Sequence, residues 1–307
     1  MRNSTTNAAT IYSLEPGVAY SFKVRAFNSG GLSDFSNIAS STTELAPPAT
    51  PTLARAFQKS GYATALFGKW HCGYEPKFNP RHLGFEEFVG FLHGGGGYHS
   101  PNFWRDGLQP LPLQGYSTDI ITDRSLDFIK RHKAKPFFLY VAHQAVHNPY
   151  QTRDDTPDNR EPGWNQNAVN DVNRPRYKKI VEDLDRSVGK ILDNVSELGL
   201  AQDTLVFFWS DNGDVRMSPA ERPYRGGKFS HYEGGHRVPC FVRWPGKFEA
   251  GKVLGGIVTH QEWLPTLVAA AGGEPDIVEK LKAGCQVGDK TFHVHIDGYN
   301  ILPYLSG

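Results

Sequence analysis

From residue 52 onward the apolar positions switch repeatedly between helical spacing and short continuous runs. Leu53 to Ser60 has the spacing of a short helix stopped by Gly61, and Ala63-Thr64-Ala65-Leu66-Phe67 follows as a strand. Thr118 to Arg131, with Ile120, Ile121, Leu126 and Ile129, predicts a second helix, and Phe137 to Ala142 a buried strand. The longest amphipathic stretch runs from Arg176 to Leu198. Tyr177, Ile180, Val181, Leu184, Val188, Ile191, Leu192, Val195 and Leu198 fall on one face there, and Gly199 caps the end. The next run, Thr204-Leu205-Val206-Phe207-Phe208-Trp209-Ser210, reads as a strand covered on both faces of a mostly parallel sheet. Helices alternating with strands predict an α/β fold, a mostly parallel or mixed sheet sandwiched by helices.

Residues 1–45 have a different pattern. Within Val18 to Phe27, Tyr20, Phe22 and Val24 would face one side of a strand, and Ile38 to Thr43 can form a further strand. Leu14-Glu15-Pro16-Gly17 and Asn28-Ser29-Gly30-Gly31 supply turn chemistry. This short N-terminal β appendage resembles the second half of a fibronectin type III module, with Leu14, Pro16, Gly17 and Tyr20 at the corner before the penultimate strand. Ala46-Pro47-Pro48-Ala49-Thr50-Pro51 is a stiff, proline-rich linker over residues 46–51, and residues 52–307 form the main domain.

Composition narrows the function classes. The balance of 33 Lys+Arg against 32 Asp+Glu leaves no global field drawing the chain to nucleic acid or an anionic membrane, so any anion site is local. Three cysteines, Cys72, Cys240 and Cys285, allow one bridge at most and exclude a disulfide framework. No apolar run approaches the roughly 20 residues of a membrane span. Met1-Arg2-Asn3-Ser4-Thr5-Thr6 opens no signal-peptide pattern.

In open α/β sheets ligands sit beyond the carboxyl ends of strands, so the loops after the strand runs carry the candidate chemistry. After the first comes Gly68-Lys69-Trp70-His71, in which Lys69 and His71 would share one face of extended backbone. The pair suits an anion and a proton transfer, or is an ordinary solvated loop. After the second come His143, read as a buried hydrogen-bonded histidine, and His147, in a turn before Asn148-Pro149. After the third, Asp211-Asn212-Gly213 places hard oxygen donors suited to Ca²⁺ or Mg²⁺ at the strand end, although the same triplet also makes a plain turn. Beyond it Gly226-Gly227 and Gly234-Gly235 flank Lys228, as in backbone moulded around a ligand or in a flexible loop.

Taken together, these segments resemble the sulfatase family. Gly61-Tyr62-Ala63-Thr64-Ala65-Leu66-Phe67-Gly68-Lys69-Trp70-His71 is similar to that family's G-Y-x-T-A-x-x-G-K-W-H pattern. Further matches occur in order: Ala145-Val146-His147-Asn148-Pro149, Ser210-Asp211-Asn212-Gly213, Arg225-Gly226-Gly227-Lys228, Glu233-Gly234-Gly235-His236-Arg237-Val238-Pro239, Arg243-Trp244-Pro245-Gly246 and Trp263-Leu264-Pro265-Thr266-Leu267. Asp297-Gly298 with Leu302-Pro303 continue the series.

The resemblance implies an alkaline phosphatase/sulfatase-like fold and a sulfuric ester hydrolase of arylsulfatase type. Lys69 and Lys228 would hold the sulfate oxygens, His71 would serve the nucleophile, and His147 would bind substrate and protonate the leaving oxygen. Asp211 and Asn212 would supply half of a Ca²⁺ site, with Mg²⁺ as the other option, completed by two aspartates. The family's nucleophile is a formylglycine made from the cysteine of a C-x-P-x-R segment, expected with those aspartates upstream of Thr52. The appendage and linker occupy that place, and none of the three cysteines has the pattern. Ser218-Pro219-Ala220-Glu221-Arg222 fits the serine form but in the wrong part of the fold, and is read as a surface loop. The expectation is therefore a catalytic domain incomplete at both ends, lacking its nucleophile segment.

The implied partner is a sulfated small molecule or glycan, with no nucleic acid and no membrane span. A parent protein of this kind would be secreted or periplasmic. Two other readings stay open: a phosphate or phosphonate ester hydrolase on the same fold, and a non-catalytic protein that binds a sulfated glycan.

Overall fold

A computed structural model describes residues 19–23, 25, 27–28, 31–36, 38–42, 52–156, 173–213, 223–287 and 290–307. The linker over 46–51, the corner residues Leu14, Pro16 and Gly17, and the Ser218 to Arg222 segment lie outside these. Within the appendage, β1 (Ala19–Phe22) pairs antiparallel with β4 (Ala39–Thr42), around the smaller pair β2 (Phe27–Asn28) and β3 (Gly31–Leu32).

From residue 52 the first element is α1 (Leu53–Lys59), whose N-cap Thr52 accepts from the Arg55 amide at 3.1 Å and so satisfies one of the orphan donors of the first turn. Then come β5 (Ala63–Lys69), β6 (Glu87–Phe91), β7 (Arg105–Asp106), β8 (Gln109–Pro110), α2 (Ser117–His132) and β9 (Phe137–Ala142). Their sheet runs in the order β8-β7-β6-β5-β9, parallel across β6, β5 and β9 and antiparallel at the β7–β8 edge.

β5 is the axis of this sheet. Ala63, Ala65 and Phe67 face a cluster with Ile121 and Phe128 of α2, whereas Leu66 faces Ala54 of α1, Phe85 and Phe88. Both faces of β5 are buried, as expected for a central strand between helical layers. The predicted helix over 118–131 is present with one further residue at each end.

The remaining elements are α3 (Arg174–Glu197), β10 (Val206–Trp209), α4 (Glu233–His236), β11 (Cys240–Arg243), α5 (Trp263–Ala270), α6 (Ile277–Ala283), β12 (Cys285–Val287), β13 (Lys290–Phe292) and α7 (Leu302–Ser306). The fully buried residues of α3 include Ile180 and Val195 from the expected apolar face, joined by three polar ones. Ile180, Asp183, Ser187, Asn194 and Val195 are buried, while Val181 is 41% exposed. The reason is a polar seam with α2: Ser187 Oγ lies 2.5 Å from Thr122 Oγ1 and 3.0 Å from His143 Nε2.

β10 departs further from expectation. Among the described residues it pairs with β11, antiparallel, and not with the five-stranded sheet, and each of its residues is half-buried. An apolar run reports that a strand is covered, not which neighbour bonds it. Among the described residues neither β9, on the side away from β5, nor β10, on the side away from β11, has a strand partner. The two nevertheless share one apolar cluster, in which Phe138 and Phe207 pack with Phe57, Trp263, Leu267 and Leu305.

Candidate functional site

Lys69 is the last residue of β5, so the strand itself delivers its ammonium to the carboxyl edge of the sheet. Beyond it the backbone of Trp70 and His71 stays tied to the extension of β6, with amides donating to Phe91 O at 2.9 Å and Leu92 O at 3.1 Å. His71 then turns to φ 57°, a left-handed conformation, and so does not share an extended face with Lys69. The turn sets its imidazole against the backbone of Gly94.

His147 enters from the loop after β9. Its Nδ1 lies 2.7 Å from the Asn148 carbonyl, which makes that nitrogen the N–H donor and leaves Nε2 as the end that can gain or lose a proton. Desolvation lowers its pKa first. The Asn148 contact raises it, Lys69 and Lys228 lower it, and Asp211 raises it. Lys69 is likewise lowered, chiefly by burial and further by Lys228, against the opposing pull of Asp211. Lys69, Lys228, His147 and Asp211, from four separate segments, therefore lie within electrostatic reach of one another.

The Lys228 loop is held to the Asp211 loop by bare backbone. The Gly213 amide donates to Gly235 O at 2.9 Å, and Gly234 donates to Arg225 O at 2.8 Å. A side chain on Gly213 would overlap the carbonyl oxygen of Gly234. Gly226, Gly234 and Gly235 thus lie close against neighbouring chain in the loop that carries Lys228. His260 Nε2, 3.2 Å from Ser210 O, braces the same corner ahead of α5.

His143 is half-buried and hydrogen-bonded, with Nε2 on Ser187 and with Nδ1 enclosed without a partner; desolvation takes its pKa down to about 4. It supports α3 and lies off the cluster of cations.

Asp211 and Asn212 stand at the end of β10, where Ser210 Oγ donates to Asn212 O at 2.8 Å and Asn212 Nδ2 donates to Gly213 O at 3.0 Å. Ca²⁺ takes six to eight oxygens. Among the described residues no group of three or more His, Cys, Asp or Glu side chains is gathered to hold a metal. Asp211 and Asn212 are two of the oxygen donors such an ion would need. All three cysteines are free, and desolvation raises the thiol pKa of Cys72 despite Lys69 nearby.

One loop with a part in the site carried no sequence expectation. His93-Gly94-Gly95-Gly96-Gly97 follows β6 and lies against both His71 and His147. Its position after a strand was the available signal, but β6 is only Glu-Phe-Val-Gly-Phe, too short and too interrupted by glycine to stand out.

The chain is similar to known proteins over most of its length. The sulfatase family model matches residues 20–273. The chain is 32% identical to human (Homo sapiens) N-acetylgalactosamine-6-sulfatase over 84% of its length and 49% of that protein. It is 31% identical to mouse (Mus musculus) arylsulfatase J over 83% of its length and 42% of that protein. The chain thus spans about half the length of the curated relatives it matches. Among solved structures, Ps i-CgsB in complex with k-i-k-neocarrahexaose superposes with a TM-score of 0.68 at 28% identity, covering 84% of this chain and 58% of that one. No helix among the described residues is long and apolar enough to cross a membrane. With the family model matched over most of the chain and a relative above 30% identity, the chain belongs to the sulfatase family.

Proposed function

We propose that the cluster at the carboxyl edge binds the sulfate group of a carbohydrate or aryl sulfate ester and donates a proton to its leaving oxygen. The observation that carries this reading is the convergence of Lys69, Lys228 and His147 from separate segments on one edge of the sheet. Burial chiefly lowers the pKa of Lys69 and of His147, Lys228 lowers both further against the pull of Asp211, and Lys69 lowers His147, so an anion bound among these groups would offset their repulsion. Lys69 and Lys228 supply preorganised charge for the sulfate oxygens. A bound sulfate raises the pKa of His147 and so populates the imidazolium. Its Nε2 proton then passes to the ester oxygen as the S–O bond breaks. His71 is assigned to the acceptor side of the reaction. Over the whole reaction the sulfur exchanges its bond to the ester oxygen for one to the oxygen of water, releasing the alcohol and inorganic sulfate, and Asp211 and Asn212 would offer oxygen donors to a divalent cation.

The names of the relatives favour a sulfated sugar: one is an N-acetylgalactosamine-6-sulfatase, and one structure holds a carrageenan-type oligosaccharide. The test compares binding and turnover of N-acetylgalactosamine 6-sulfate, 4-nitrophenyl sulfate and 4-nitrophenyl phosphate. Sulfate esters are expected to bind, and Lys69→Ala or Lys228→Ala to weaken binding by about tenfold or more, the worth of a charged hydrogen bond. Preference for the phosphate ester, or equal binding by both variants, overturns the reading. Binding of sulfate esters without turnover restricts the role to glycan recognition.

A further inference from the structure

In the loop after β6 the two glycines Gly94 and Gly95 lie against the two histidines of the proposed site. A Cβ built on Gly94 falls 2.5 Å from His71 Cε1 and 2.6 Å from its Nε2, and one on Gly95 falls 3.1 Å from His147 Nδ1. Real Cβ atoms do not approach aromatic atoms at the first of these separations, so the His71 ring rests where only a glycine backbone leaves room. Neither Gly94 nor Gly95 has a positive φ, so the requirement is for space and not for backbone conformation.

The same loop is fastened on the His147 side by side chains. Gln144 Nε2 donates to Gly96 O at 3.3 Å, the Tyr98 amide donates to Gln151 Oε1 at 2.9 Å, and the buried Tyr98 hydroxyl donates to the carbonyl of His147 itself at 2.9 Å. On the His71 side the fastening is by backbone, through the Trp70 and His71 amides on Phe91 O and Leu92 O. One continuous segment, Phe91 to Tyr98, therefore holds His71 at one end and His147 at the other.

We infer that Gly94 and Gly95 are positioning residues that fix the separation and orientation of His71 and His147, with Tyr98 anchoring the spacer to the His147 backbone. This rests on the proposed roles of the two histidines. The spacer presents bare backbone because any side chain at Gly94 would occupy the volume of the His71 imidazole. Gly95, with a looser contact, tolerates a methyl group if His147 yields by a few tenths of an ångström.

A double-mutant cycle tests the inference on the full chain, with histidine side-chain NMR and titration by 4-nitrophenyl sulfate as readouts. Gly94→Ala is expected to shift the His71 Cε1–Hε1 resonance, to lower the urea midpoint, and to weaken binding by about tenfold, the scale of an ångström-level misplacement. In a His71→Ala background the added methyl group meets no ring. There Gly94→Ala should leave both midpoint and affinity unchanged from His71→Ala alone. Gly95→Ala should shift the His147 resonance with a smaller loss. Additive effects of Gly94→Ala and His71→Ala, or an unshifted His71 resonance in Gly94→Ala, overturn the inference. If Gly94→Ala is too unstable to titrate, recovery of the midpoint in the double variant decides the matter alone. Lys69→Ala is run in parallel: unchanged affinity there refutes the proposed sulfate site, whatever the cycle shows.

Discussion

Gly213 and Gly235 meet backbone to backbone, the amide of the first donating to the carbonyl of the second at 2.9 Å, and this contact docks the loop of Lys228 onto the loop of Asp211. A methyl group on Gly213 would overlap Gly234 O. Gly213→Ala should therefore cost about 1–3 kcal/mol, the range for overpacking, and weaken sulfate-ester binding by moving Lys228. Urea denaturation paired with ligand titration measures both, and a variant as stable as the parent would show that the loops are free to separate.

Acid stability should depend on His143. The unfolded histidine takes up a proton below about 6.5, whereas the native one resists until about 4. In that window the unfolded chain binds more protons, so this group leaves stability intact above about 6.5 and erodes it as pH falls towards 4, by about 3 kcal/mol at most. His143→Gln removes the titration, and its stability between pH 6.5 and 4 should fall less steeply than the parent's. Equal slopes would place the acid sensitivity elsewhere.

Amide exchange should rank the strands. β5 is bonded on both sides and buried on both faces, whereas among the described residues β9 and β10 each have a strand partner on one side alone and side chains that are half-buried or, at Tyr140, exposed. The amides of Ala65, Leu66 and Phe67 should exchange slowest, and those of β10 faster by orders of magnitude. Equal protection in β10 and β5 would mean that the two sheets are joined in solution.

Much of the site was legible in the sequence because Lys69, His147 and Asp211 end or closely follow apolar strand runs, where ligand chemistry gathers, and Lys228 stands between two glycine pairs. The orientation of His71 was not legible, since its left-handed turn depends on Leu92 and Gly94 from another segment. The glycine spacer escaped notice because its strand, β6, is short and carries Gly90. The pairing of β10 was hidden for a different reason. Val-Phe-Phe-Trp states how apolar a strand is and says nothing about the strand beside it. Likewise the buried face of α3 follows from Thr122 and His143, which offer Ser187 hydrogen bonds that periodicity cannot foresee.

The central claim is that Lys69, Lys228 and His147 form one anion site, and the pKa of the His147 imidazole reports on all three. It is best followed by NMR across pH 4 to 9, free and saturated with 4-nitrophenyl sulfate, in the parent and in Lys228→Ala. The free parent should titrate below the ordinary histidine value of about 6.5. The pKa should rise when the sulfate ester binds, and rise also in free Lys228→Ala, where one repelling charge is gone. A His147 pKa that neither the ligand nor the loss of Lys228 moves would contradict the account.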